Sequence, residues 1–154
     1  MELADNHNTY HDLVDQIEAV IVNEGTPVEC RIKHLFTKGV YCREMFVPKG
    51  TILTSKLHNM QHPFVLSMGA VGVLENNKVT EVMEAPYLGV TEPGTRRVIY
   101  AYEDSIWTTF HPVSIYPESD SEEDLLIAVQ KVEDLVIDNY DNNLITVKKK
   151  EELT

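Results

Sequence analysis

The chain has 154 residues and a mass of 17.5 kDa, about the size of one domain. Hydrophobic residues make up 43% of it, enough to form a core and to exclude a globally disordered chain. Thirteen Lys and Arg against 25 Asp and Glu give a net charge of −12, which argues against duplex nucleic acid or an anionic membrane surface as the main partner. No apolar run approaches the roughly 18 residues of a membrane span, and Met1-Glu2-Leu3-Ala4-Asp5 lacks the basic-then-apolar pattern of a signal peptide. A soluble, cytoplasmic protein is expected. Cys30 and Cys42 make neither a disulfide framework nor a zinc knuckle and read as reduced, buried thiols.

The charge divides the chain into three parts: residues 1–27 with a helix, a β region over 28–113, and an acidic helix with its tail over 114–154. The first helix is expected from Tyr10 to Asn23, because Leu13, Val14, Ile17, Val20 and Ile21 form one stripe of a 3.6-residue period. Thr9 with Asp12 resembles a capping box, and Gly25 can supply a left-handed stop. The stripe packs on the β region or, alternatively, forms a dimer contact. Segments of β character follow over 28–36, 40–47, 51–58, 62–68, 70–74, 79–83, 87–90, 97–102 and 105–111. They are broken by Lys38-Gly39, Pro48-Lys49-Gly50, Gly69, the turn Glu75-Asn76-Asn77-Lys78, and Pro93-Gly94. Many short strands at spacings near ten residues, uninterrupted by a helical period, point to an antiparallel sandwich or barrel and exclude a parallel α/β sheet. After Pro117, Ser119 or Ser121 can cap a second helix whose first turn holds Glu122, Glu123 and Asp124. Leu125, Val129, Val132 and Val136 supply its buried stripe. Lys148-Lys149-Lys150 followed by Glu151-Glu152 reads as a frayed polar tail.

His58, His62 and His111 fall at informative places in the β region. Along one extended strand, His58 and His62 would stand about 13 Å apart at about 3.3 Å per residue, too far for one metal ion with bonds of about 2 Å. A chain reversal over Asn59-Met60-Gln61 brings the two side chains together across a hairpin, and Pro63 suits the start of the returning strand.

The stretch from Gly50 through His58 and His62 to Gly69 resembles the first motif of the cupin family, in which a glycine precedes a His-any-His pair, an acid follows, and a second glycine lies seven residues after the acid. His62 stands in the place of the acid, His58 in that of the second histidine, and Lys56 in that of the first. Pro93-Gly94-Thr95-Arg96-Arg97 resembles the proline-glycine turn of the second motif, with Arg97 near its histidine and His111 available to supply the missing imidazole. Together with Tyr41-Cys42-Arg43-Glu44-Met45-Phe46-Val47-Pro48-Lys49-Gly50 and the segment from Glu103 to His111, these motifs are similar to small single-domain cupin-type proteins of tailed phages. The resemblance covers about residues 28–113. It implies a mainly β fold, a single antiparallel double-stranded β-helix barrel with flanking helices, and it adds no activity.

One reading of the site is a divalent transition metal (Zn, Fe, Ni or Cu) on His58, His62 and His111, with open positions for a ligand. The other is three histidines bonded to backbone and hydroxyls. If Val40, Cys42, Glu44 and Phe46 share the inner face, Glu44 is the fourth donor or general base with a raised pKa; otherwise it faces water and pairs with a Lys. Strand alternation lets only one of Arg96 and Arg97 look inward. An inward Arg97 clamps a carboxylate or phosphate, or ties down the loop by pairing with Glu103 or Asp104. Trp107 and Thr109 share the face of His111, giving an aromatic wall and a hydroxyl, with Trp107 first of all a core residue. His7 and His11 are a pair without a third ligand. The expectation is a phage-type accessory protein, in the host cytoplasm or on the virion, with a metal or small-molecule pocket. A non-catalytic scaffold that binds another phage or host protein is the alternative, and catalysis stays open. A homodimer is expected.

Overall fold

The structure, a computed structural model, describes residues 3–26, 28–75, 78–79 and 82–137. Helix α1 (Leu3–Glu24) is followed by strands β1 (Ile32–Thr37), β2 (Val40–Val47), β3 (Ile52–Thr54), β4 (His62–Met68) and β5 (Ala70–Glu75). Then come β6 (Lys78–Val79), β7 (Met83–Glu84), β8 (Tyr87–Thr91), β9 (Arg97–Ala101), β10 (Ser105–His111) and helix α2 (Glu122–Val136). One sheet has the order β1-β2-β10-β4-β8; the other runs β3-β9-β5-β6, with β7 also paired to β5. Every pairing is antiparallel.

The pairings nest. β2 pairs with β10, β3 with β9, β4 with β8 and β5 with β7. The chain from β2 to β10 is therefore one long hairpin whose paired arms step alternately from one sheet to the other. That is a double-stranded β-helix, as the sequence motifs imply. Among the described residues no strand pairing joins one sheet to the other, so the expected barrel is two facing sheets. Between them lies the main core, in which Phe64, Leu66 and Trp107 of the first sheet meet Val71, Val73 and Ile99 of the second.

Two glycines are required where strands approach closely. Gly69, at φ +91°, joins β4 to β5, and a Cβ there would collide with the Asp104 carbonyl and the Ser105 side chain. Beside it the β4–β10 register shifts, with Ile106 opposite Met68 but Trp107 opposite Leu66. At Gly89 a Cβ would stand 2.5 Å from Phe64 Cζ, so the absent side chain makes room for the Phe64 ring.

Helix α1 begins seven residues before Tyr10, because residues 3–9 contain no glycine or proline to stop it. Thr9 lies inside the helix and not at its start. Its buried face is Tyr10 and Val14, packed with Ile17 on Val98 and Leu74 of the second sheet. Leu13 and Val20 of the expected stripe are exposed, at 37% and 55%. The stripe is real but rotated toward Tyr10. Gly25 closes the last turn through its N–H to the Ile21 carbonyl (2.9 Å), without the left-handed backbone expected of it. Helix α2 is capped by Ser121, whose side chain accepts from the Asp124 N–H. Val129, Val132 and Val136 pack with Tyr41 and Val113 against one end of the sheets, while Leu125 is only half-buried.

The strand expected over 51–58 ends at Thr54 and that over 28–36 begins only at Ile32; of that expected over 79–83, Val79 lies in β6 and Met83 in β7, while residues 80–81 lie outside the described residues. Cys30 and Cys42 are half-buried thiols, not buried ones. Asn76 and Asn77 of the expected turn, the tail with Lys148-Lys149-Lys150, and the side chains of His7 and His11 lie outside the described residues. Among the described residues, no helix is long and apolar enough to cross a membrane.

Candidate metal centre

Pairing sets which side chains face inward. In the first sheet Trp107 stands opposite Met45, Thr109 opposite Arg43 and His111 opposite Tyr41, so these six share the inner face. Thr109 is also opposite Phe64 on β4, and His62 begins that strand two residues earlier. The rings of His62 and His111 accordingly come together, 4.5 Å between centroids.

His58 arrives differently. After Thr54 the chain leaves the sheet, and His58 forms an isolated antiparallel bridge with Ile137 just past α2. The Asn59 N–H donates to the Val136 carbonyl (2.9 Å), and Asn59 Nδ2 donates to that of Leu135 (3.0 Å). The reversal before His62 is as expected, but the end of α2 supports it and no β-hairpin forms. The His58 ring lies 4.9 Å from His62 and 5.7 Å from His111. One ligating atom from each of the three histidines lies within 4.8 Å of the others. His62 and His111 are buried and His58 is half-buried. These three residues could hold a metal ion.

Burial pushes His58 down to about 4, helped by the neighbouring His62 and opposed by a hydrogen bond to the Lys56 backbone. Burial takes His111 down to about 3, with His62, His58 and Arg43 adding to it. His62 is lowered chiefly by burial, against its bond to Met60 and with a further lowering by Arg97. All three are neutral near pH 7, the state in which imidazole is a ligand. A carbonyl only accepts, so the 3.1 Å contact of His62 Nδ1 with the Met60 oxygen fixes the proton on Nδ1 and leaves Nε2 its lone pair. His111 Nε2 lies 2.9 Å from the Thr109 hydroxyl. Its Nδ1 is buried without any partner among the described residues.

The other expected site residues separate. Glu44 is exposed on the outer face of β2, opposite Lys33, and cannot serve as base or donor inside. The inner face of β2 is Tyr41, Arg43, Met45 and Val47; the other parity was expected because both faces of this strand mix apolar and charged residues. Arg97 does look inward and is buried, but it is engaged. Nη1 donates to Thr91 Oγ1 (2.8 Å), Nε pairs with Glu75 (3.3 Å), and the guanidinium lies over the rings of Phe64 and Trp107. Its carboxylate is Glu75, not the expected Glu103 or Asp104. Trp107 is core, stacked 4.4 Å from Phe64 at 4°, and also lines the cavity. Arg96 takes the opposite face and is fully buried under α1, where it pairs with Asp15 and Glu18 at 2.8 Å each. Tyr10 donates its hydroxyl to the Arg96 carbonyl.

Two contributors escaped the sequence reading. Arg43 lines the cavity of about 1270 Å³ that the three histidines, Thr109 and Trp107 also line. Glu133 of α2 borders the same space. The strand alternation that placed Thr109 inward would have found Arg43, given the β2–β10 register.

No protein-family model and no curated protein matches the sequence. Solved structures do match. An uncharacterised protein with a double-stranded β-helix domain from Klebsiella pneumoniae is 14% identical, with a TM-score of 0.49 over 56% of this chain and 78% of that one. A cupin family protein from Methanocaldococcus jannaschii is 8% identical, with a TM-score of 0.47 over 60% and 85%. A predicted oxalate decarboxylase from Thermotoga maritima is 17% identical, with a TM-score of 0.47 over 56% and 83%.

Proposed function

We propose that the pocket between the sheets holds one divalent transition metal on His58, His62 and His111, and that the protein works by binding a small molecule beside it. The carrying observation is the unpartnered, buried His111 Nδ1 within a cluster whose ligating atoms lie inside 4.8 Å. Leaving such a nitrogen without a partner costs about 1–3 kcal/mol, and a cation relieves it. Three neutral nitrogens and no carboxylate suit Zn, Fe, Ni or Cu more than Mg or Ca. A three-ligand set leaves coordination positions open, and a metal there supplies Lewis acidity to an oxygen-bearing ligand. The chain's own part is to orient the rings. The Met60 carbonyl holds His62, the Thr109 hydroxyl meets His111, and the end of α2 props the His58 loop. Glu44 has no place in this site.

Metal analysis of the purified protein decides the matter. We expect close to one equivalent, lost in His62→Ala and His111→Ala. Metal-free wild type that takes up none of the four ions on dialysis removes the proposal.

A scaffold role finds its support in α2, where Leu126, Ile127 and Leu135 are about half exposed (52%, 47% and 50%) on a helix rich in acids. An accessory role, in the host cytoplasm or on the virion, rests on the resemblance of the sequence motifs to tailed-phage proteins alone. The free edges of the first sheet, β1 and β8, are where a homodimer would pair; light scattering of the pure protein reads this out directly.

A further inference from the structure

Arg43 sits on the inner face of β2, half-buried between Tyr41 and Met45. It stands directly across from Thr109, whose hydroxyl is 2.9 Å from His111. It lines the same cavity as the three histidines. The two neighbouring arginines are committed, Arg96 to Asp15 and Glu18, and Arg97 to Glu75 and Thr91. Arg43 makes no hydrogen bond or ion pair with any described residue, although Glu133 borders the same cavity. Its charge is nevertheless felt at the site, since it disfavours protonation of both His58 and His111.

The charge along the cavity is mixed, since Glu133 and Arg43 both border it, but no ion pair neutralises Arg43. Three neutral imidazoles leave a divalent metal its full charge, and Arg43 adds another positive charge nearby. A partly desolvated guanidinium without a counter-ion is unfavourable, and its fork of donors matches a carboxylate in bidentate fashion. Part of the remaining wall is apolar, formed by Met45, Leu53, Ile99 and Trp107. A phosphate dianion would need several donors to offset its desolvation. A monocarboxylate with an apolar body needs one.

From this we infer that the cavity binds a small organic carboxylate, its carboxyl group on Arg43 and its apolar body along Met45, Leu53 and Trp107. Arg43 thus sets ligand class. The inference builds on the metal reading of the same pocket, but the Arg43 contact does not itself require the ion.

The experiment is a calorimetric titration of the full chain, metal-loaded and metal-stripped, with hexanoate, with neutral hexanamide, and with inorganic phosphate. Hexanoate should bind wild type at least tenfold more tightly than hexanamide or phosphate. Arg43→Gln should lose that preference, and Arg43→Lys should keep part of it. The melting temperature and metal content of each variant show that fold and metal site are intact. Equal hexanoate binding by wild type and Arg43→Gln, tighter binding of phosphate, or no hexanoate binding by either form of wild type overturns the assignment. A wild type that takes up no metal yet shows the Arg43-dependent preference removes the metal reading and leaves this one standing.

Discussion

At the scale of single residues, the histidine cluster makes stability depend on pH in a definite direction. In the metal-free fold His58 and His111 titrate at about 4 and about 3, against about 6.5 in an unfolded chain. Above pH 6.5 both states hold them neutral and they have no effect. Below it only the unfolded chain takes up protons, so stability falls until the folded values are passed. Each tenfold difference in proton affinity between the two states is worth about 1.4 kcal/mol, so the loss from pH 7 to pH 4 amounts to a few kcal/mol. Urea unfolding of stripped protein should show a midpoint that drops over this range, and His111→Gln should flatten it; an unchanged slope in the variant contradicts the placement of that ring. A second expectation concerns backbone space. Gly89→Ala drives a methyl into the Phe64 ring, which is itself stacked on Trp107, and overpacking of this kind costs about 1–3 kcal/mol. Thermal melts would show a lowered transition, and no change would mean that Phe64 can move aside. The pair His58 and His62 was legible from spacing alone, because only a reversal lets both meet one ion. Arg43 and Glu44 were not. Adjacent residues on a strand face opposite ways, and nothing local to β2 says which way is in; the partner strand decides.

At the scale of elements, β2, β4 and β10 lie where alternation and punctuation put them, β2 between Gly39 and Pro48, β4 ending at Gly69 and β10 at Pro112. β3 is shorter than its apolar pattern suggests because, although the Ser55 N–H still bonds the Arg97 carbonyl opposite it (2.8 Å), the Arg97 N–H goes to the Ser55 side chain (2.7 Å) and the chain departs toward α2. That departure is a tertiary effect with no local signal. α1 is held by Arg96, whose guanidinium is fully buried and bridges Asp15 and Glu18 one helical turn apart. Removing one partner of a buried pair costs about 3–5 kcal/mol, since the opposite charges stay behind. Arg96→Met should therefore loosen α1, seen as early protease cleavage within residues 10–24 while the β-sheet signal persists; full resistance would contradict this account. The loop bearing His58 depends in the same way on α2. Asn59→Ala removes the side-chain bond to the Leu135 carbonyl, and loss of support around a ligand lowers metal affinity by about 10-fold or more. Competition with a chromophoric chelator measures it, and an unaltered affinity would show that the backbone bond to Val136 suffices.

For the whole molecule, metal and fold should be linked by mass action. A ligand at about 100 times its Kd adds about 2.7 kcal/mol to stability. The melting temperature should rise with added Zn or Ni and return on chelation in wild type, and stay fixed in His62→Ala. The acidic surface does not oppose this, because much of the negative charge lies on α2 and its flanks, and of the acids that line the cavity Asp15 and Glu18 are tied to Arg96. Fold class followed from strand spacing and punctuation, yet the sheet order did not. That order is a property of pairings such as β2 with β10, which join residues more than fifty positions apart and leave no mark on either segment.

That nesting also orders the assembly in time. The inner arms, β5 with β7, close a short loop, whereas the outermost arms must wait for everything between them, and such distant pairing makes refolding slow. His58 and His62 belong to the first arm; His111, forty-nine residues beyond His62, arrives with the last strand. A metal ion therefore meets at most two donors until the final strand docks. An ion bound there would act as a latch on the finished protein, lengthening its lifetime against unfolding and giving the nascent chain no template to fold around.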